Sequence, residues 1–326
     1  MRGVAITGLG KHLPDQRLTN SDLEKMVETS DEWILSRTGI KERRIAAPDE
    51  PSSSLALKAA EKALFEARVE PDQVDLIIVA TVTPDMFFPS TACLVQAGLG
   101  ATHAAAFDIE AACPGFIYAC AAGSQFVATG MYNCVLVIGV DTLSKIVNWT
   151  DRSTCVLFGD GAGAAVLQPA PEHKGFLSFV LGADGTGEDF LKMPAGGSRF
   201  PASPETVASR LHTIHMNGNE VFKFAVRAMP EAALESLARA GLRADQVDLL
   251  IPHQANLRII EAARKRMGLP PEKVFVNLEK YGNTSAASIP VALTEAVEEG
   301  KIREGSVVVL TAFGAGFTWA ACTLRW

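Results

Sequence analysis

The chain has 326 residues, 48% hydrophobic and 21% charged, a composition that excludes a disordered or fibrous protein and permits a large buried core. Its formal net charge of −7 excludes a global electrostatic grip on nucleic acid or anionic lipid, so any anionic ligand must be met by a local basic patch. At about 150 residues per domain the length allows two domains, or one large two-part domain.

The N-terminal segment Met1-Arg2-Gly3-Val4-Ala5-Ile6-Thr7-Gly8 is too short an apolar run for an export signal and reads as a first strand. Cys93, Cys113, Cys120, Cys134, Cys155 and Cys322 form no CxxC pair and no disulfide framework, which fits a reducing, cytoplasmic compartment. Residues 111–140 carry no charge and could span a bilayer by length. Pro114, Gly115, Gly123, Gly130 and Asn133 interrupt them, and the β-branched end predicts a buried helix followed by a buried strand, with no membrane contact.

Pro71-Asp72-Gln73-Val74-Asp75-Leu76-Ile77-Ile78 returns 173 residues later as Ala244-Asp245-Gln246-Val247-Asp248-Leu249-Leu250-Ile251. Each copy follows an Ala-rich helical pattern, at 54–68 and 225–240, and leads into an aliphatic strand, expected at 247–251 in the second copy. The echo continues through strands at 105–109 and 273–277, helices ending at Gly130 and Gly300, and strands at 134–140 and 307–310. It closes with glycine-rich turns leading into strands at 164–167 and 317–324. Strands separated by helices pair into buried sheets, so the pattern predicts a duplicated α/β architecture, with halves 1–172 and 173–326. Residues 182–204, rich in Gly, Pro and Ser, read as a long surface loop of functional length.

Cys113 follows the strand at 105–109, and Pro114 suits the first turn of a helix. A helix N-terminus there favours the thiolate and would lower the thiol pKa from about 8.5 toward neutrality. Aligning Gly130 with Gly300 carries Cys113 onto Asn283, again between a strand and a helix. His253 lies just past the strand at 247–251, so all three fall near the carboxyl ends of strands, where open α/β sheets place ligands. Gly159-Asp160-Gly161-Ala162-Gly163 enters a strand instead of opening a helix, so its glycines are read as backbone turning, not as a phosphate loop. His212 and His215 have metal-like spacing but no cysteine or carboxylate cluster beside them, and read as a surface pair.

The motifs Ala111-Ala112-Cys113, Asp151-Arg152-Ser153-Thr154, Phe158-Gly159-Asp160-Gly161-Ala162-Gly163, Gly218-Asn219-Glu220, Pro252-His253-Gln254-Ala255-Asn256, Gly282-Asn283-Thr284-Ser285 and Phe313-Gly314-Ala315-Gly316 closely resemble the β-ketoacyl-acyl-carrier-protein synthase III family, across nearly the whole chain. The resemblance implies the thiolase fold, two βαβαβαββ halves in five α-β-α-β-α layers, and a homodimer. It implies an acyltransferase that moves an acyl group, acetyl being the expected primer, from acyl-CoA onto Cys113. That acyl group is then condensed with malonyl-acyl-carrier protein, with loss of CO₂, to start fatty acid synthesis without a resident cofactor or metal.

In that family His253 and Asn283 would stabilise the enolate formed on decarboxylation, and the backbone N–H groups of Cys113 and Ala315 would form a second oxyanion hole. Asn283 separates the initiating class from elongating enzymes, which carry a second histidine there, and from thiolases, which use a second cysteine as base. The resemblance places Trp33 and Arg152 on opposite faces of the CoA adenine, with Thr29 and Arg37 nearby, and Asn219 and Asn256 on the pantetheine arm. Phe88 would cross the dimer interface to close the neighbour's acyl pocket, and Lys223, Arg258, Lys265 and Arg266 would dock the acidic carrier protein. Two residues depart from the family pattern: Ala315 replaces a frequent glycine, tolerable only at negative φ, and Ser153 follows Arg152 where glycine is common.

Overall fold

The aliphatic runs of the repeat form the centres of two sheets. In the computed structural model, which describes residues 2–326 and leaves Met1 of the expected first strand outside the described residues, the first sheet has five strands. They are β1 (Gly3–His12), β2 (Leu76–Ala80), β3 (Ala105–Ile109), β4 (Val135–Thr142) and β5 (Asp160–Ala170), ordered β1-β5-β4-β2-β3. The pairs β1/β5 and β5/β4 are antiparallel, whereas β4/β2 and β2/β3 are parallel.

The second sheet repeats this arrangement with β6 (Gly175–Ala183), β7 (Leu249–Pro252), β8 (Val307–Gly314) and β9 (Thr318–Arg325), ordered β7-β8-β9-β6. Here β6/β9 and β9/β8 are antiparallel and β8/β7 parallel, so the four strands reproduce the β1/β5, β5/β4 and β4/β2 pairings of the first sheet, and the edge strand β3 has no full counterpart. The strand expected at 273–277 is reduced to a 3₁₀ turn at Pro271–Lys273 and one bridge from Val274 to Leu250. The main helices are α1 (Asp31–Thr38), α2 (Ser52–Ala67), α3 (Thr91–Leu99), α4 (Gly115–Ala128), α5 (Gly218–Arg239), α6 (Leu257–Arg266) and α7 (Ser288–Glu298).

Helix α2 crosses the outer face of β1, β5 and β4, while α5 covers β9, β8 and β6 on the far side of the second sheet. Between the sheets lie α4, packed on β4 and β2 and also on β9, and α7, packed on β5, β1 and β7. The result is the five-layered thiolase arrangement. A helix sandwiched between sheets must be apolar all round; residues 288–296 of α7 are all buried, and α4 buries Phe116, Ile117, Cys120 and Val127. That explains the uncharged stretch at 111–140, and among the described residues no helix is long and apolar enough to cross a membrane. Strands β2 and β4 are buried along their whole length, as parallel strands covered on both faces should be. Each buried Leu or Ile there contributes about 1.5–3 kcal/mol of transfer free energy.

The glycine-rich run belongs to β5, which begins at Asp160. Its glycines serve close approach and not turning: a Cβ on Gly163 would fall 2.7 Å from the Pro290 ring of α7, and none of Gly159, Gly161 and Gly163 has positive φ. The loop expected at 182–204 contains a 3₁₀ turn (Gly185–Phe190) and a two-residue strand, Leu191–Lys192, paired with His215–Met216. Leu191, Lys192 and Met193 of this segment line a cavity.

Candidate active site

Both halves turn the chain into the site in the same way. Ala112, before Cys113, has φ of 49°, and Gly282, before Asn283, has φ of 67°. Both residues thus have positive φ just before the side chain that enters the site. Cys113 immediately precedes Pro114, the N-cap of α4. His253 extends β7 by one rung, its N–H donating to Thr311 O at 2.8 Å. Asn283 is held against the first half, since its N–H donates to Leu157 O (2.8 Å) and its carbonyl accepts Gly159 N–H (2.9 Å). Its side-chain Oδ1 accepts the Ser285 N–H at 2.9 Å, which leaves the Nδ2 hydrogens free. Cys113, His253 and Asn283 line one cavity of about 960 Å³.

Gly314 brings its loop against Cys113, because a Cβ there would lie 2.8 Å from Cys113 N. Among the described residues the N–H groups of Cys113 and Ala315 donate to no other residue, and both residues face the cavity. Ala315 is not among the residues of positive φ, so alanine fits the position without strain.

The thiol departs from its sequence expectation. Burial pushes Cys113 up to about 12, with the carboxylates of Asp141 and Glu110 adding to the rise, while a hydrogen bond from Ser285 pulls the other way. The helix N-terminus does not overcome these effects, and the resting Cys113 side chain is a thiol. Burial also lowers His253 to about 3, so its imidazole is neutral. Its Nδ1 lies 2.6 Å from Ser288 Oγ.

Trp33, Arg37, Asn219, Asn256 and Arg258 line the same cavity, together with Leu191, Met193 and Met216. Thr29, Phe88, Arg152, Lys223, Lys265 and Arg266 do not line it. The Arg152 guanidinium stacks on the Trp33 indole, 5.4 Å from the ring centroid, and donates to Glu28 O at 2.8 Å. Two stacking gaps of about 3.5 Å are needed to hold a base between two planes, so the expected adenine slot is closed on itself here. Thr29 Oγ1 is buried without a partner. Ser153 donates its N–H and hydroxyl to Asp151 Oδ1, capping the short helix Arg152–Cys155. Asn256 is largely committed already, its Nδ2 donating to Arg37 O (3.0 Å) and its Oδ1 capping Arg258 N (2.9 Å).

Of the four expected docking cations, Lys223 pairs with Glu220 and Arg266 with Glu231. Arg258 stacks on Phe222 at 5.1 Å beside the mouth, and Lys265 is exposed near the end of α6. Phe88 is 86% exposed and Phe87 81% exposed. The helix α3 that follows their loop is anchored to the edge strand β3 by Asp108, whose carboxylate accepts the N–H groups of Thr91 and Ala92, each at 2.7 Å. His212 bonds Thr206 and His215 lies near Arg210 O; among the described residues no group of three or more His, Cys, Asp or Glu could hold a metal.

Comparison with known proteins shows the family. Residues 107–185 match the family described as 3-oxoacyl-[acyl-carrier-protein] synthase III, and 237–326 match its C-terminal counterpart. A β-ketoacyl-[acyl-carrier-protein] synthase III of Symbiobacterium thermophilum is 64% identical over 100% of this chain and 99% of that protein. The chain belongs to the β-ketoacyl-[acyl-carrier-protein] synthase III family. A synthase III from Caldanaerobacter subterraneus is 62% identical, with 99% of this chain and 98% of that protein covered. The crystal structure of the Aquifex aeolicus synthase III superposes with a TM-score of 0.92 at 51% identity, covering 99% of this chain and 100% of that one.

Within this synthase III scaffold, sequence reasoning missed three residues behind the site. Asp141 is fully buried; its Oδ1 accepts from Thr81 Oγ1 (3.0 Å), Val82 N (2.8 Å) and Thr83 Oγ1 (2.9 Å), and its Oδ2 from Ala286 N (3.2 Å). It thereby ties the end of β2 to the segment carrying Asn283. Ser285, with φ of 49°, donates its N–H to Asn283 Oδ1, and its side chain offsets part of the rise that burial imposes on Asp141 and Cys113. Ser288 supports His253. The available signal was an acidic residue ending an otherwise apolar strand.

Proposed function

We propose that this chain is the condensing acyltransferase that starts fatty acid synthesis by a two-step reaction on Cys113. The observation that carries this reading is the meeting of Cys113, His253 and Asn283 in one cavity, with unbonded Cys113 and Ala315 N–H groups beside them. In the first step the Cys113 sulfur attacks the thioester carbon of acyl-CoA, acetyl-CoA being the expected primer. The negative oxygen of the tetrahedral intermediate is received by the N–H groups of Cys113 and Ala315. The C–S bond to CoA breaks, and the thiol proton leaves with the CoA sulfur.

In the second step malonyl-carrier protein loses CO₂, and the electron pair of that bond becomes an enolate. His253 Nε2–H and Asn283 Nδ2–H stabilise the enolate oxygen. The carbanion attacks the acyl carbon, the Cys113 thiolate is expelled and takes a proton from water, and 3-oxoacyl-carrier protein leaves. Side chains and backbone of the chain itself perform every step, so no resident cofactor is required. The halves 1–172 and 173–326 contribute Cys113 and the His253–Asn283 pair respectively, and the enzyme works in the cytoplasm. Release of one CoA per chain without malonyl-carrier protein, and continuous release with it, is the expected result; turnover with no malonyl substrate would contradict it.

For CoA, Trp33 and Arg152 must part to admit adenine between them, with Thr29 and Arg37 close by and Asn219 and the remaining Asn256 N–H on the pantetheine arm. The homodimer is supported by the free edge of β3 and the exposed Phe88 beside it, since an open edge with bare aromatics is otherwise a liability. Phe88→Ala is expected to weaken the dimer by about 2 kcal/mol and to broaden the range of primers. An active monomer with unchanged chain preference, measured by sedimentation and by acyl-CoA competition, would contradict it.

Carrier docking is assigned to Arg258 and Lys265, with Lys223 and Arg266 exchanging their present carboxylate partners for the carrier's. Arg258→Glu is expected to slow condensation by about tenfold through lost steering, with a weaker salt dependence and a smaller effect on acylation by CoA primers. Equal losses in both half-reactions, in stopped-flow measurements at varied salt, would place Arg258 in the entrance instead.

A further inference from the structure

His253 and Ser288 are both buried, at 3% and 2% exposure, and Ser288 is the first residue of α7. A serine hydroxyl offers one proton and two lone pairs. One lone pair of Ser288 Oγ receives the Gln254 N–H at 3.3 Å. Among the described residues the only acceptor within reach of the hydroxyl proton is His253 Nδ1, at 2.6 Å. Nδ1 therefore carries no hydrogen, and a neutral imidazole bare at Nδ1 holds its proton on Nε2. We propose that Ser288 is a positioning residue that locks His253 as the neutral Nε2–H tautomer, making it a fixed hydrogen-bond donor to the thioester oxygen of the malonyl substrate and not a base.

Protonating Nδ1 would force Ser288 to turn its own proton toward surroundings that offer no acceptor, which costs about 1–3 kcal/mol. The positive end of α7 opposes an imidazolium at the same place. Burial acts in the same direction, holding the imidazole far below its ordinary pKa. A base with Nε2 already protonated cannot take the Cys113 proton, so the site divides the labour. Cys113 loses its proton to the departing CoA sulfur, and His253 serves the malonyl step.

This inference rests on the donor role given to His253, and two measurements separate them. Nitrogen-15 spectra of histidine-labelled enzyme read the tautomer without turnover. His253 is expected to show a bare, pyridine-like Nδ1 and a protonated, pyrrole-like Nε2 at neutral pH, and the reverse pattern overturns the proposal. In Ser288→Ala both tautomers should appear, with malonyl decarboxylation slowed by about 100-fold, Cys113 acylation within a few fold of the parent, and Ser288→Thr restoring most of the loss. Equal slowing of both half-reactions, or no change in tautomer in Ser288→Ala, also overturns it. If the Nε2–H tautomer is found but His253→Ala decarboxylates malonyl substrate at the parent rate, the donor role fails while the tautomer assignment stands.

Discussion

Cys113→Ala is expected to abolish acylation by acyl-CoA and to reduce condensation by about 10⁴-fold or more, the scale of losing a covalent nucleophile. Cys120, Cys134, Cys155 and Cys322 are buried in the core, and Cys93 is exposed but does not line the cavity. Peptide mapping of the parent enzyme should find the acyl group on Cys113 alone. Decarboxylation of malonyl substrate should survive in the variant, because His253 and Asn283 remain in place. The elevated thiol pKa adds a sign to the expectation. A group about 12 in the folded chain is protonated throughout the working range, so alkylation of Cys113 by iodoacetamide should keep rising from about pH 7 to about pH 10. A plateau reached by about pH 8 would mean a preformed thiolate.

His253→Ala and Asn283→Ala should each lower malonyl decarboxylation by about 10²–10³-fold, the cost of one oxyanion donor, while Cys113 still accepts its acyl group. The two donors enter the site from separate segments, one continuing β7 and the other clamped to the start of β5, so each can be removed alone. Since burial holds His253 near 3, its neutral form persists as pH falls through the ordinary histidine range. Decarboxylation should therefore show no inflection from about pH 5 to about pH 8 attributable to this residue. Variants that retained condensation and lost only acylation would reverse the assigned roles.

The duplication was the most legible feature of the chain. The Asp-Gln-Val-Asp echo marks the 3₁₀ turns and strands at β2 and β7, and the glycines at 130 and 300 end α4 and α7 in register. That register placed Cys113 opposite Asn283, and the residues before them, Ala112 and Gly282, both have positive φ. What escaped the sequence depends on contacts between distant segments. Asp141 and Ser288 are single polar residues in apolar surroundings, and nothing local shows that one gathers Thr81, Val82, Thr83 and Ala286 or that the other meets His253. The thiol was misjudged because a helix N-terminus is visible in sequence whereas burial beside Asp141 is not. The strand expected at 273–277 is cut short because the segment makes a single bridge, Val274 to Leu250, with Phe275 N–H donating to Leu250 O, and the chain then turns to deliver Asn277 to Gln254 and Glu295.

Intact-mass measurement through one catalytic cycle tests the central claim most directly. Incubation with acetyl-CoA should add one acetyl group per chain, located on Cys113, and malonyl-carrier protein should then return the enzyme to its starting mass as 3-oxoacyl-carrier protein appears in equal amount. An enzyme that forms the condensed product while never gaining the acyl mass, or that holds the acyl group unchanged in the presence of malonyl-carrier protein, would contradict the two-step reaction on Cys113.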